Sequence, residues 1–191
     1  VNRSRCSGSS ANNSNIQGRR MEANLSAVFL YQETGMKTLV VGLGNPILGD
    51  DGVGWHVAEE IAKSTVDRSD VEVDCVSLGG LSLMERLTGS TRVILIDAIF
   101  TGRAPIGTVS RLTLGDLPDL TTGHSASVHD TSLHNALSVG RSMNISLPDD
   151  KDVIIIAIEA ENVYDFSQEL SPAVAAAVPQ TVKVVMDLLG G

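Results

Sequence analysis

The stretch Val40-Val41-Gly42-Leu43-Gly44-Asn45-Pro46-Ile47-Leu48-Gly49-Asp50-Asp51-Gly52-Val53-Gly54 leaves this chain few folds to choose from. The β-formers Thr38 to Val41 run into a glycine-rich turn, two adjacent carboxylates follow, and apolar residues then recur at helical spacing at Val53, Val57, Ala58, Ile61 and Ala62. Strand, turn and helix in that order begin a parallel α/β sheet, and the turn at the carboxyl end of such a strand is where these sheets place ligands. Asp50 and Asp51 stand on that turn.

The same alternation of strand and helix continues to the end of the chain. Val71 to Val76 reads as a second strand, and Gly79-Gly80 opens a short helix through Leu83, Met84 and Leu87. Arg92 to Ala98 is the continuous apolar type of strand found in the middle of parallel sheets, and it ends on Asp97. Gly107 to Leu112 is a shorter alternating strand, expected to pair antiparallel at an edge. Pro118 to Ser127 reads as a loop, and a helix from about Ser127 turns Leu133, Ala136 and Leu137 inward. Val153 to Ile158 is the next central strand, ending on Glu159. Ser171 as N-cap and Pro172 at the first helical position start a last helix, which Pro179 is expected to kink or divide. The predicted fold is a single three-layer α/β domain over residues 36–191, with a mixed, mostly parallel sheet of about five strands covered on both faces by helices. No transmembrane span is expected.

Residues 1–35 differ in composition, with Ser, Asn and Gly dominating Ser7 to Asn15, and are expected to be a disordered tail or a mis-assigned start. Met21 or Met36 is the expected start of translation. Arg19-Arg20 ahead of Ala27 to Tyr31 is too short an apolar run for an export signal, and Glu22 intrudes. The formal net charge of −9 argues against a nucleic-acid partner, which needs clustered Lys and Arg. Two cysteines, Cys6 and Cys75, make neither a disulfide framework nor a Cys-based zinc site, and point to a reducing cytoplasm.

In the predicted sheet, Asp51 and Asp97 reach one crevice from separate strands. Asp50 reads equally as a helix cap. His129 stands in the first turn of a helix, whose dipole disfavours imidazolium and leaves a neutral ring with a free nitrogen. Two carboxylates and one imidazole form a donor set for a borderline divalent ion such as nickel or zinc. His56, His124 and His134 read as structural or solvated, Trp55 as a packing residue, Cys75 as facing the core, and Glu159 as bordering the crevice without chemistry. No Gly-x-Ser-x-Gly elbow is present, and Ile47 occupies the place of the third glycine of a dinucleotide fingerprint, so a serine hydrolase and a nucleotide cofactor are both unexpected.

These residues resemble the hydrogenase maturation endopeptidases, which remove a C-terminal extension from the large subunit of nickel-iron hydrogenases. Gly42 to Gly54 is similar to that family's opening signature, Ile96-Asp97-Ala98 to its second acid and Val128-His129-Asp130-Thr131-Ser132-Leu133 to its histidine helix. Leu170-Ser171-Pro172 and Ala176-Ala177-Val178-Pro179 resemble its closing helix. The resemblance implies metal contacts from Asp51, Asp97 and His129, which read nickel carried by the immature large subunit, or another divalent metal in the same site. A metal-bound or carboxylate-activated water then attacks the peptide carbonyl. It further implies that Leu78-Gly79-Gly80-Leu81 helps select the large subunit, with leucines here where some relatives are polar.

Two rivals share parts of this pattern. Peptidyl-tRNA hydrolase has the Gly-Leu-Gly-Asn-Pro turn, but its catalytic histidine context is replaced here by Asp50-Asp51-Gly52. A non-cleaving metal-sensing or chaperone-like maturation factor could use the same ligands as a protease.

Overall fold

The computed structural model describes residues 37–114 and 128–190, the side chains of 128–132 excepted. The chain divides into units Val1–Gly35 and Met36–Gly191, and the first of these, with its expected tail, lies outside the described residues. The expected loop Pro118 to Ser127, with His124, lies outside them as well.

Five strands build the sheet: β1 (Thr38–Leu43), β2 (Val71–Val76), β3 (Arg92–Ile99), β4 (Val109–Thr113) and β5 (Val153–Glu159), in the order β2-β1-β3-β5-β4. The first four in that order run parallel, and β4 lies antiparallel on β5 at the edge, as its short alternating sequence predicts. β1 and β5 are buried along their whole length, and β3 from Val93 on, because helices cover both faces. Helices α2 (Gly80–Leu87) and α3 (Val128–Ser142) cover one face, where Leu83, Met84, Leu87, Leu133 and Leu137 meet Leu39, Val41, Leu95 and Ile155. On the other face lie α1 (Val53–Ser64) and α4 (Pro172–Gly190), where Val53, Val57, Ile61, Val174 and Val185 meet Val40, Ile94, Ile96 and Ile156.

The chain leaves β1 toward β2 on one side and returns across β1 to β3 on the other. The strand order therefore reverses between β1 and β3, and that reversal opens a crevice outside their carboxyl ends. The signature is built to close against this point. A Cβ on Gly54 would overlap the carbonyl oxygens of Leu43 and Ile96, and one on Gly42 would overlap that of Gly54, so α1 seats its backbone directly on β1 and β3. Gly44, at φ +119°, makes the turn out of β1 and packs on the Asp51 backbone in a conformation that side chains rarely adopt.

Asp50 closes the other half of the domain onto the turn. It is wholly buried in the 3-10 turn Gly49–Gly52, and its carboxylate accepts the backbone N–H of Ser171 at 2.6 Å and of Asn162 at 3.3 Å. It makes no capping bond to α1. Its partners instead fix the loop after β5 and the start of α4, where the Ala175 N–H donates to the Ser171 carbonyl at 2.8 Å.

Helix α4 is long and apolar enough to cross a bilayer by length and composition, yet here Val174, Ala177, Thr181, Val185 and Leu189 are buried in the domain. Pro179 does not divide it. The proline stands on the exposed face, where the Ala175 carbonyl deprived of its helical donor also lies in reach of water.

Replacing Asp50 by Ala leaves two part-buried backbone N–H groups without their acceptor and opens a void at a wholly buried position, and is expected to lower stability by about 3 kcal/mol in urea titration, against about 1 kcal/mol for Asp51→Ala. Equal midpoints for the two variants contradict this tethering role. Gly54→Ala is expected to cost about 3 kcal/mol or more, because both obstructing atoms are backbone and cannot swing aside. An unchanged melting temperature for it would refute the close approach of α1.

Candidate active site at the carboxyl edge of the sheet

Asp51 leaves the end of β1 on the 3-10 turn and is half-buried, its Oδ2 accepting the Asn45 N–H at 2.6 Å. That bond fixes the carboxylate against the Gly44-Asn45 corner and uses only part of its acceptor capacity. Asp97 is on the neighbouring strand, one residue beyond Ile96, which lies opposite Gly42 in the β1–β3 register. It is 1% exposed and shares, by strand alternation, the sheet face of Leu95 and Ile99, the face covered by α2 and α3. The two acids thus flank the point where the strand order reverses, Asp97 lower in the fold and Asp51 above it.

The third predicted residue enters by way of its helix. At the far end of α3, Arg141 donates to the Pro148 carbonyl at 2.7 Å and pairs with Asp150 at 2.7 Å, just ahead of the first residue of β5. The end of α3 is therefore pinned at the amino edge of the sheet. Its beginning, with the His129 backbone, points toward the carboxyl edge, on the same face as Asp97. The His129 side chain is outside the described residues. Among the described residues no three His, Cys, Asp or Glu side chains gather as a metal-holding group.

Other carboxylates and polar groups hold this edge in shape. Glu159, 2% exposed at the end of β5, accepts the N–H groups of Thr101 and Gly102, each at 2.8 Å, and the Thr101 hydroxyl at 2.7 Å, which fixes the loop after β3. It borders the crevice as expected and is engaged in structure. Ser77, beyond β2, donates its hydroxyl to the Gly44 carbonyl at 2.7 Å, and the Trp55 indole N–H reaches the Val76 carbonyl at 3.4 Å. Trp55 thus packs the β2 side of the crevice, as read from the sequence.

Cys75 departs from its expected place. It lies half-buried on the edge strand β2 rather than in either core cluster, with its Sγ 3.9 Å from the Trp55 carbonyl. Burial, with the nearby charges of Glu59 and Asp74, pushes its thiol up to about 11. Roughly one molecule in ten thousand then carries the thiolate at pH 7, so Cys75 is unsuited to act as a nucleophile. His56 is half-buried on α1 and His134 exposed on α3.

Sequence reasoning missed the tether from Asp50 and the loop anchoring by Glu159. Their partners are backbone N–H groups, which no side-chain pattern records. The only signal was positional: an acid at the end of β5 and another on the turn that follows β1.

Comparison with known proteins agrees with this architecture. A model of the hydrogenase maturation protease family matches residues 55–188. The chain is 23% identical over 151 residues to the hydrogenase expression/formation protein HupD of Thiocapsa roseopersicina, a match that spans 79% of this chain and 66% of that one. A Methanocaldococcus jannaschii protein bearing the hydrogenase maturation protease name is 26% identical over 151 residues, spanning 78% of this chain and 93% of its own. Among solved structures, the hydrogenase maturating endopeptidase HybD of Escherichia coli superposes with a TM-score of 0.64 at 24% identity, covering 81% of this chain and 92% of that one, and so shares the fold. With a family model laid over well more than half of its length and the same doubly covered sheet beneath it, this chain belongs to the hydrogenase maturation protease family.

Proposed function

We propose that the protein is an endopeptidase that removes the C-terminal extension of a nickel-loaded nickel-iron hydrogenase large-subunit precursor, with Asp51, Asp97 and His129 as its working residues. The observation that carries this reading is the pair of acids on adjacent parallel strands at the reversal of strand order, with the start of α3 directed to the same edge. Nickel belongs to the substrate: carboxylate oxygens and an imidazole nitrogen are donors a borderline divalent ion accepts, so these residues suit reading whether the precursor is loaded. When bound there, the ion polarises the scissile carbonyl.

The protein's own part is to hold the precursor. Asp51, braced by Asn45, meets it from the rim, and Asp97 stands on the adjacent strand β3. Either carboxylate can take a proton from the attacking water. The high value at Cys75 removes the thiol from the list of nucleophiles, in accord with an aspartate-based site. A cytoplasmic place of action suits Cys75, the one cysteine among the described residues, being a free thiol. The family match lends no support to a peptidyl-tRNA hydrolase, and the acidic balance of the chain speaks against a nucleic-acid partner.

The test is to incubate the protein with nickel-loaded and nickel-free precursor and follow loss of the C-terminal extension by mass spectrometry. Cleavage is expected for the loaded precursor alone. Asp51→Asn, Asp97→Asn and His129→Gln are each expected to slow it by roughly 100-fold or more while leaving the urea midpoint close to wild type. Binding without cleavage by the wild-type protein would support a maturation factor that does not cut. Normal processing by all three variants would remove the site assignment.

A further inference from the structure

Four aromatic residues lie among the described residues, Trp55, Phe100, Tyr164 and Phe166, and none belongs to either core cluster. Aromatic side chains ordinarily supply much of a core. Here all four sit at the carboxyl edge of the sheet: Trp55 at the start of α1, Phe100 just beyond β3, Tyr164 and Phe166 in the loop beyond β5. Phe166 is 86% exposed, Tyr164 75% and Phe100 48%, and Ile47 of the signature turn is 45% exposed beside them.

Their loops are not loose. Leu48 and Ser167 form a parallel β-bridge, in which the Ser167 N–H donates to the Ile47 carbonyl at 3.1 Å and the Gly49 N–H to the Ser167 carbonyl at 2.7 Å. In that register Ile47 and Phe166 are lateral neighbours. Gly49, at φ +54°, lets the two strands meet, since a Cβ there would come 2.6 Å from the Asn162 carbonyl oxygen. The Asp50 N–H donates to that same carbonyl at 3.0 Å. Glu159 fixes the Phe100 loop in the same way. Exposed aromatic groups on a braced backbone lose little entropy on contact, the property of residues that dominate binding interfaces.

Around Tyr164 and Phe166 the charged side chains nearby in sequence have one sign. Glu161, Asp165 and Glu169 are exposed and alternate with the aromatic residues, and among the described residues none of the three joins an ion pair. No Lys or Arg occurs between Lys151 and Lys183. Arg103, on the loop beyond β3, is the nearest cation in sequence to Phe100. A surface of aromatic faces and aliphatic side chain set among carboxylates fits guanidinium or ammonium groups carried beside apolar side chains, because cations are drawn both to the π-faces and to the acids.

We propose that Ile47, Tyr164 and Phe166, with Glu161 and Asp165, form a docking rim that grips a basic, apolar-bearing segment of the precursor and so sets the scissile bond over Asp51 and Asp97. This rests on the endopeptidase reading above. It assigns to the β5 side of the crevice a recognition surface separate from the Leu78 to Leu81 loop on the β2 side.

The test uses full-length protein with the nickel-loaded precursor. Tyr164→Ser combined with Phe166→Ser is expected to raise KM by about 30-fold with kcat within about twofold, the size of loss found when aromatic anchors of an interface are removed. Its urea midpoint should match wild type, because both side chains are exposed. Glu161→Lys combined with Asp165→Lys should raise KM as well, and that loss should be largely recovered on a precursor whose Lys and Arg near the cut site are changed to Glu. A structural defect would not be rescued by reversing the substrate's charge. If wild type cuts the precursor and both double variants keep its KM, the docking rim is refuted while the endopeptidase reading stands. If wild type neither binds nor cuts the loaded precursor, both fall. If the aromatic variant instead turns a dimer into a monomer at unchanged KM, the rim joins two copies of this chain and the proposal is overturned.

Discussion

The carboxylate of Asp50 holds the two halves of this domain together. A charged group with no exposure to water costs several kcal/mol unless donors replace its hydration. Asp50 obtains them from the backbone N–H groups of Ser171 and Asn162, so the interior charge and the path of the chain after β5 determine each other. Residues 121 apart in sequence are thereby fixed within one hydrogen bond of each other. Glu159 repeats the arrangement on β5, two strands from β1, with Thr101 and Gly102 as donors. A crevice formed where strand order reverses has no covalent bond closing its mouth. These two acids supply the closure.

That use of acids divides the carboxylates at the carboxyl edge into two kinds. Asp50 and Glu159 organise backbone, their oxygens taken up by main-chain N–H groups. Asp51 and Asp97 flank the reversal itself. Adjacent in sequence, Asp50 and Asp51 have opposite fates because the 3-10 turn directs successive side chains apart: one into the loop after β5, the other against Asn45 and Gly44. The glycines serve the same end. Gly42 and Gly54 bring α1 down onto the sheet, and the half-turn that results puts Asp51 at the mouth rather than out in solvent.

The fold could be read from the sequence because its signals are local. Apolar runs such as Val93 to Ile96 and Ile154 to Ile158 require cover on both faces, and the alternation in Val109 to Thr113 suits an edge, where the structure has β4. Non-local features were less accessible. Cys75 sits in an apolar sequence and was expected in the core, yet β2 is an edge strand whose residues are all half-buried. Pro179 was expected to kink or divide α4, and does not divide it, because its face of the helix carries no packing. The candidate site was legible in its acids, although β3 runs on to Ile99 and so carries Asp97 inside the strand rather than at its end. The Asp50 tether was not, since its partners are main-chain groups supplied by distant residues.

Scarcity of aromatic residues gives the carboxyl edge its further character. With 3% aromatic content, this chain fills both core layers with Leu, Ile and Val, whose shapes suffice for a thin sheet closely covered by helices. Aromatic residues are then not needed in either core layer, and those that are described lie at the carboxyl edge, Trp55 packed there and Phe100, Tyr164 and Phe166 exposed. Placement on backbone already braced by buried carboxylates means that contact energy gained at the rim need not be lost again in ordering the loops. Such energy, drawn from parts of a substrate remote from the cut bond, is what an enzyme uses to hold that bond in reacting position. Rigid mounting of the rim and burial of Asp50 and Glu159 are therefore one design: two acids engaged by main-chain donors stiffen the surface that surrounds Asp51 and Asp97.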